Sequence, residues 1–575
     1  MAETLISPGV LARENDSSFV SKRPVVVGAA IIGPTVKGPV EVPTIITTYS
    51  DFVNKFGTTI ESGSVNDKKT YTYFTSITAY NYFLNGGTSL LVCRVVSGSY
   101  TSATSSLIPT GSGGPTTGLS PFVLQTFSKG TIMNSDGPEV SGSLSSGSVD
   151  NLRWQIVNSN SSSGTFDLLI RQGNDNPLQP IILSGETWTG LTLDPNSPNY
   201  VARVIGDINE NYSLANNQIQ YSGSFSNRSN YVRVSAVNYT TTNYFDNNGV
   251  AKNQYTGSIP VNASGAFGGA AGTIKGGANF YSNINSGNTQ GIVAANYDNM
   301  INLLSNMDDY KFNMLLTPGL YDADYASQVS SIITNTQNRG DNIYVLDPVK
   351  YGQNVSTVTA QAAARNTSYA AEYWPWLQVI DPSTGELVWV PASTMIGGVY
   401  AYNDSVAEPW FAPAGINRGG LSPVVRAEQR LSQTQRDTLY TGKVNPIATF
   451  PGTGVVVYGQ KTLQTRASAL DRVNVRRLLI SLKSYISQIA NTLVFEQNTA
   501  ATRNNFLAQV NPYLSSVQQR QGLYAFKVIM DDSNNTPDVI DRNELVGQIY
   551  LQPTKTAEFI YLDFNITPTG ASFPA

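Results

Sequence analysis

Continuous apolar runs alternate with helical patterns at two separate places in the chain. Runs typical of strands buried on both faces of a sheet lie at residues 25–34, 90–96, 312–316 and 343–346. Bulky residues recur at helical spacing from 71 to 84, ahead of Gly86 and Gly87 as C-cap candidates. A further helix is expected from about 323 to 336. The sequence therefore predicts two α/β units, separated by a long stretch of different character.

That stretch consists of short alternating runs set among Ser, Thr, Gly and Asn. The runs at 154–157 and 231–234 alternate as half-buried strands do. We expect residues 101–294 to form one or two inserted β-rich domains. Residues 21–100 and 295–440 would then make one discontinuous α/β domain.

The longest helical pattern lies near the end of the sequence. Its apolar positions run from Val475 to Leu493 with a period close to 3.5, and Asn474 is the candidate N-cap. A second helix is expected from about 501 to 518, with Pro512 as a point of interruption. Strands are expected at 525–530, 545–551 and 558–566.

The ends of the chain are expected to be extended. Residues 1–20 contain the turn signal of Pro8 and Gly9 without a helical period, and form a predicted arm. Residues 441–566 form a predicted C-terminal α/β domain, followed by a short tail at 567–575. The expected fold class is a multidomain α+β or α/β protein.

Composition and charge narrow the partners that the chain can have. Only 13% of its 575 residues are charged, and a net charge of -4 supplies no basic field for nucleic acid or an anionic membrane. The start lacks the basic and apolar regions of a signal peptide, and no window reaches the roughly 20 apolar residues of a membrane span. We therefore expect a soluble product made in a cytoplasm, with no direct nucleic-acid partner and no membrane insertion.

The chain contains no histidine and a single cysteine, Cys93. The absence of histidine removes Ser-His-Asp and Cys-His activation and nearly all zinc, copper and iron sites. Cys93 lies in an apolar run and is expected to be a buried strand residue, so neither a disulfide nor a thiolate cluster is available. We expect no cofactor and no metal, which leaves carboxylates alone as a route to catalysis.

Two motifs resemble ligand sites but miss the required spacing. Residues 454–459 nearly fit a phosphate-binding loop, but Gln460 displaces the lysine by one place and the interior is strand-like. The acidic stretch 531–535 would need a glutamate at the twelfth position of a calcium loop, where Arg542 or Asn543 stands. We interpret the first motif as a strand and the second as a solvated turn.

The densest basic patch surrounds the start of the long C-terminal helix. It consists of Arg466, Arg472, Arg476, Arg477 and Lys483. Two interpretations stay open, a solvated helix face with internal ion pairs and an electrostatic contact with another subunit. Because cations at a helix N-terminus oppose the helix dipole, Arg476 and Arg477 are expected to have partners elsewhere.

A series of short motifs follows a fixed order along both ends of the chain. They are Ser7-Pro8-Gly9-Val10, Gly33-Pro34, Asp51-Phe52-Val53, Tyr82-Phe83-Leu84-Asn85-Gly86-Gly87, Pro318-Gly319-Leu320, Tyr373-Trp374-Pro375-Trp376, Val390-Pro391-Ala392-Ser393, Ala412-Pro413-Ala414-Gly415, Pro451-Gly452-Thr453-Gly454, Val473-Asn474-Val475-Arg476-Arg477 and Glu558-Phe559-Ile560. Taken together, they resemble the contractile-tail sheath family of myophages and tailocins. The resemblance skips residues 101–294.

The resemblance implies a structural subunit and not an enzyme. Such a subunit polymerises helically around an inner tail tube and contracts to drive the tube through a host envelope. Its partners would be further copies of itself, the inner tail tube protein, and the baseplate and tail terminator proteins. Its place would be a virion tail assembled in the host cytoplasm.

The resemblance also implies site residues, because the family's chain termini complete the sheets of neighbouring subunits by strand addition. Strand exchange between subunits is expected of Leu5, Ile6, Val10, Leu11, Phe559, Tyr561 and Phe564. We also expect charged side chains to face the tube or another subunit, namely those of Arg472, Arg476, Arg477 and Lys483.

Two other functions stay open on the sequence alone. One is a glycan hydrolase carried on a virion, since two carboxylates can suffice for that chemistry. The other is an adhesin or fibre protein, for which repeats are expected, although the sequence has no internal period. The predicted insertion 101–294 matches no motif, so surface decoration and host-surface adhesion are both open for it.

Overall fold

The computed structural model describes residues 25–64, 67–111, 118–274, 281 and 284–561. Its strands are, in chain order, β1 Val25–Gly33, β2 Thr44–Ile46, β3 Thr59–Ser64, β4 Asp67–Thr72, β5 Leu90–Arg94, β6 Ser102–Ser105, β7 Phe122–Lys129, β8 Glu139–Val140, β9 Ser143–Leu144, β10 Leu152–Asn160, β11 Thr165–Gln172, β12 Ile182–Thr192, β13 Asn209–Ser213, β14 Gln218–Ser222, β15 Val232–Val237, β16 Ala263–Gly268, β17 Tyr310–Tyr321, β18 Ile343–Asp347, β19 Ala370–Trp374, β20 Leu377–Ile380, β21 Leu387–Val390, β22 Val424–Ala427, β23 Val444–Phe450, β24 Gly454–Val457, β25 Leu523–Ile529 and β26 Gln548–Pro553. Its α-helices are α1 Tyr49–Phe56, α2 Phe74–Leu84, α3 Val201–Ile205, α4 Asn253–Thr256, α5 Asp298–Leu303, α6 Ala326–Arg339, α7 Val355–Ala363, α8 Ser393–Val406, α9 Gln433–Thr441, α10 Val473–Asn491, α11 Ala500–Gln519 and α12 Pro537–Asp541.

The main sheet has eight strands, in the order β2-β5-β1-β17-β18-β19-β23-β24. The inner strands, from β5 to β23, run parallel to one another, and the outer strands β2 and β24 are antiparallel to them. β5, β18 and β19 are buried at every position, as expected of strands covered on both faces. The helices α2 and α8 pack on each other and on β17, and α6 packs on β17 and β18. The structure thus confirms the mixed, multidomain α/β fold class.

The antiparallel sheet has seven strands, in the order β12-β11-β10-β16-β6-β7-β15. Helix α3 contacts both end strands, β12 and β15, so the sheet is curved into a half-barrel. Its concave side is filled by apolar side chains such as Trp154, Phe166 and Leu168, each at most 1% exposed. The sheet therefore has a hydrophobic core of its own.

Buried polar contacts join the antiparallel sheet to the main sheet. The fully buried Arg94 guanidinium, at the end of β5, donates hydrogen bonds to the carbonyls of Gly38 (2.6 Å) and Lys129 (2.9 Å). Nearby, the Lys37 ammonium lies 3.3 Å from Asp150. Burial lowers the pKa of Lys37 and lowers that of Arg94 to about 10. The contacts with Lys129 and Asp150 are the ones that connect the two sheets.

In the C-terminal unit, α10 packs on α11, and α11 packs on the C-terminal sheet, which consists of β25 and β26. Its core includes Leu478, Leu482, Val510, Leu514 and Val517, each at most 1% exposed. The apolar positions predicted from Val475 onward therefore lie on one helix with a buried face, and the last of them, Leu493, lies just past its end.

The start of α10 differs from the sequence prediction. The residue at the N-cap is Arg472, and not Asn474. Arg472 forms an isolated antiparallel bridge with Lys461, and the helix begins directly after it. Asn474 is instead buried, and its Nδ2 donates a hydrogen bond to the Trp410 carbonyl at 3.2 Å.

Two further predictions need correction. α11 continues through Pro512, because Val510 and Leu514 on either side of it are buried in the C-terminal core. The predicted strand 558–566 has no strand pairing in its described part, which ends at Tyr561, and the rest lies outside the described residues. There the side chain of Glu558 binds other side chains, and no backbone ladder forms.

Candidate functional site

The C-terminal sheet is an antiparallel pair that no further strand joins within the described residues. One face, with Phe526 and Val528, packs into the C-terminal core. On the opposite face Lys527 lies beside Tyr550, which is 55% exposed. Tyr524, at a bulge near the start of β25, is 62% exposed. Because a two-stranded sheet is marginally stable and has unpaired edges, this sheet can accept a further strand.

After β26 the chain returns to the main sheet, where several side chains bind Glu558. The Arg472 guanidinium donates from Nε to Oε1 (2.7 Å) and from Nη2 to Oε2 (2.9 Å). The Tyr440 hydroxyl donates to Oε2 at 2.7 Å, and Gln460 Nε2 donates to Oε1 at 3.1 Å. We call these four residues the Glu558 clamp. They form a charge-assisted, two-pronged contact of high geometric specificity.

The pKa values in the clamp reflect the same contacts. Burial raises the pKa of Glu558, but hydrogen bonds from Arg472, Tyr440 and Gln460 outweigh burial and lower it overall. Burial and the neighbouring Glu558 carboxylate raise the pKa of Tyr440. The clamp therefore favours an ionised Glu558 beside a neutral Tyr440.

The residues after the clamp are exposed and apolar. Phe559, Ile560 and Tyr561 are 68%, 76% and 88% exposed. Two of them, Phe559 and Tyr561, are among the residues predicted to exchange strands. The other predicted residues lie outside the described residues, namely Leu5, Ile6, Val10, Leu11 and Phe564.

The structure places Arg476 and Arg477 inside the chain. Each is 4% exposed. Arg476 donates to Ser368 Oγ, and its Cζ lies 3.9 Å from the centre of the Tyr369 ring. Arg477 pairs with Asp404 at 2.5 Å. Both guanidinium groups are therefore buried against groups of their own chain, and a contact of either with a tube or another subunit stays a prediction.

The other two predicted charges are placed differently. Arg472 is engaged by Glu558 and also pairs with Asp471 at 2.9 Å. Lys483 is exposed on α10, with its Nζ 3.4 Å from the Tyr369 hydroxyl. A contact of Arg472 or Lys483 with another chain stays a prediction.

Three buried carboxylates lie at the main sheet. Asp322, Asp347 and Glu372 are at most 3% exposed. Arg365 pairs with Asp322 at 2.5 Å, and Asp347 accepts hydrogen bonds from the Ser393 backbone (2.9 Å) and hydroxyl (2.5 Å). Burial raises the pKa of Asp347 to about 7 and that of Glu372 well above its usual range. A polysaccharide could not reach these groups, so the cluster does not support the glycan hydrolase.

Other sites singled out by the sequence have structural roles. Cys93 is fully buried in β5, where burial raises the pKa of its thiol. Residues 454–457 form β24, as predicted for the loop that resembles a phosphate site. Within the described ranges, no group of three or more Cys, Asp or Glu side chains could hold a metal ion. No helix of that part of the chain is long and apolar enough to cross a membrane.

A cleft of about 670 Å³ lies where the antiparallel sheet meets the main sheet. Its lining includes Lys37 and Asp150, which pair with each other at 3.3 Å. It also includes Arg233, which donates to the Asp207 carbonyl at 3.1 Å. Both of these cations therefore have a partner within the chain.

The C-terminal sheet and the Glu558 clamp both lie in segments that match a known family. The model of the phage tail sheath protein central domain matches residues 290–463. The model of the phage tail sheath C-terminal domain matches residues 465–567. The family is one of structural proteins, as predicted from the motifs.

Individual relatives agree with the family match. The tail sheath protein of Vibrio phage KVP40 is 39% identical over 253 residues, which cover 43% of this chain and 37% of the relative. The tail sheath protein of Enterobacteria phage T4 is 42% identical over 185 residues, which cover 32% and 28%. The matched segments thus span less than half the length of these relatives.

A solved structure of the anti-feeding prophage helical sheath in its contracted state is 16% identical, and the alignment covers 98% of this chain and 99% of that chain at a TM-score of 0.49. Residues 290–463 and 465–567 of the chain thus match the central and C-terminal domains of the phage tail sheath protein family.

Proposed function

We propose that the chain is a structural subunit of a contractile tail sheath. It polymerises helically around an inner tail tube in a virion tail, and contraction of the polymer drives the tube through a host envelope. Its partners are further copies of itself, the tube protein, and the baseplate and tail terminator proteins. Assembly takes place in the host cytoplasm.

The observation that supports this proposal is the incomplete C-terminal sheet. Within the described residues β25 and β26 have no third strand, and Tyr524 and Tyr550 are exposed beside the open edges. The same chain displays the apolar residues Phe559, Ile560 and Tyr561. Strand addition between copies would pair the free backbone groups and bury these side chains together.

The test of assembly is negative-stain electron microscopy of the full chain at high concentration, with and without the tube protein of the same phage. Hollow, regularly striated cylinders support the sheath function. Monomers that persist under both conditions contradict it.

A chain that ends at Glu558 tests the role of the exposed segment. This truncation keeps the clamp and removes the residues that follow it, so we expect a folded subunit that forms no cylinders. Thermal unfolding checks the fold, and electron microscopy checks assembly. Deletion of residues 1–18 is the matching test for the other predicted arm, and normal cylinders from either truncation would contradict the role of that arm.

A further inference from the structure

We propose that the Glu558 clamp is the anchor of the C-terminal arm, so that force on the arm enters the main sheet and not the C-terminal sheet. The inference rests on the proposed function, in which residues after Glu558 join a second copy of this chain. It assigns a positioning role to Arg472, Tyr440 and Gln460.

The first support is the change in environment at Glu558. Before it, the Thr554 backbone donates to the Gly522 carbonyl at 3.2 Å, and Gln460 Nε2 donates to the Thr556 hydroxyl at 2.7 Å. At Glu558 itself, four hydrogen bonds converge on a single carboxylate. The next residue, Phe559, is 68% exposed. The segment is thus held up to Glu558 and exposed directly after it.

The second support is the connection of the clamp to the main sheet. Asn445, fully buried in β23, donates from Nδ2 to the Lys461 carbonyl at 2.8 Å and accepts from the Lys461 backbone at 2.5 Å. The Val473 backbone in turn donates to the Gln460 carbonyl at 2.8 Å. These bonds hold Gln460 and the start of α10 against β23. The clamp therefore rests on a strand whose residues are largely buried.

The third support is the direction in which force would act without the clamp. If the arm left the body at Pro553, the end of β26, a pull would act directly on the β25 and β26 pair. That pair consists of two strands only, and one of its faces is exposed at Tyr524 and Tyr550. With Glu558 fixed, a pull on Phe559 acts on the ionic contact with Arg472. The C-terminal sheet is then free to accept a strand while the chain's own arm is under load.

Trypsin tests the anchor in the full-length monomer. No Lys or Arg stands between Lys555 and Ala575, so cleavage after the exposed Lys555 releases a fragment that begins at Thr556. Arg472→Met removes the two-pronged contact without changing the cleaved sequence. We expect it to speed release roughly tenfold or more, the factor that corresponds to one charge-assisted hydrogen bond.

Two further variants give an intermediate release rate and a control for Arg472→Met. Arg472→Lys keeps the charge but loses the planar fork, so its release rate should lie between those of the native chain and Arg472→Met. Arg542→Met is the matched control, because it removes an exposed ion pair with Glu544 (3.1 Å) in the same C-terminal unit. Its rate should equal that of the native chain. An unchanged rate in Arg472→Met would overturn the anchor.

Assembly with the tube protein tests whether the anchor transmits force. Cylinders of Arg472→Met should be lost on dilution or contraction, as measured by sedimentation and electron microscopy, under conditions in which native and Arg542→Met cylinders survive. Faster trypsin release with cylinders as durable as the native ones would overturn force transmission through Glu558. Absence of cylinders from the native chain would instead overturn the sheath function, while the trypsin rates would still show whether the clamp holds the arm.

Discussion

The main sheet and the C-terminal sheet differ in how their edges are completed. The main sheet ends in short antiparallel strands, and the outer side of β24 is covered by backbone hydrogen bonds, from Leu421 to the Val455 carbonyl (3.0 Å) and from Val457 to the Gly419 carbonyl (2.8 Å). The C-terminal sheet has two strands and no such cover in the described part of the chain. Short or covered edges prevent pairing with other chains, whereas open edges invite it. One sheet is therefore complete within the chain, and the other is suited to completion by another copy.

The two sheets also differ in how deeply their residues are buried. Every residue of β18 is buried, whereas β26 alternates between exposed and half-buried positions. Burial of apolar surface contributes most of the free energy of folding. Changes in the main sheet should therefore affect the stability of the monomer, and changes in the C-terminal sheet should affect assembly.

The largest effect is expected for a cavity in the main sheet. Leu346→Ala, at a fully buried position of β18, should lower the free energy of unfolding by roughly 2–5 kcal/mol. Chemical denaturation measures this loss. The matched control is Leu178→Ala, at a position that is 95% exposed, which should change stability by less than about 0.5 kcal/mol. Similar losses in both variants would contradict the contrast between buried and exposed sites.

The next effect is a pH dependence that originates at Asp347. Burial raises its pKa from 3.8 to about 7 in the folded chain. The unfolded chain therefore ionises first, and the free energy of unfolding should fall as the pH rises from about 4 to about 7. The loss is on the order of 4 kcal/mol, at about 1.4 kcal/mol per pKa unit.

Asp347→Asn tests that origin. The amide stays neutral, so the fall in stability between pH 4 and pH 7 should become smaller. Glu372, whose pKa is also raised by burial, keeps part of the slope. Urea unfolding at several pH values measures the slope, and an identical slope in both proteins would rule out Asp347 as its source.

The smallest effect on the monomer is expected in the C-terminal sheet. Replacing both Tyr524 and Tyr550 by Ser should change the free energy of unfolding by no more than about 0.5 kcal/mol, because both are more than half exposed. Cylinder formation should nevertheless be lost, since added strands would have less apolar surface to cover. A large fall in monomer stability, or normal cylinders, would contradict the comparison between the two sheets.

The strands of the main sheet could be predicted because their signal is local. The apolar run at 25–34 corresponds to β1, and the run at 343–346 corresponds to β18. A strand buried on both faces requires a continuous apolar run, which the sequence displays directly. The described part of the predicted strand 558–566, up to Tyr561, pairs with no strand of the described residues, and its apolar side chains are exposed, a condition that local pattern does not reveal.

The partners of charged residues could be predicted only in part. The unfavourable position of Arg476 and Arg477 near a helix N-terminus indicated that they bind groups elsewhere. It could not indicate Tyr369 for Arg476 or Asp404, which is 73 residues away, for Arg477. A local sequence pattern gives no information about contacts between segments that are far apart in the chain.

For the Glu558 clamp, too, the sequence indicated individual residues but not the contacts between them. Arg472 belongs to the predicted basic patch and Glu558 to a family motif, so the sequence drew attention to both residues. It determined the local elements, the absence of histidine chemistry and the family resemblance, since these depend on residue type and short spacing. Only the tertiary structure decided that Arg472 and Glu558, which are 86 residues apart, meet beside Tyr440 and Gln460. The physical reason is that the packing of β23, β24 and α10 brings these side chains together, and no short segment of the sequence contains both Arg472 and Glu558.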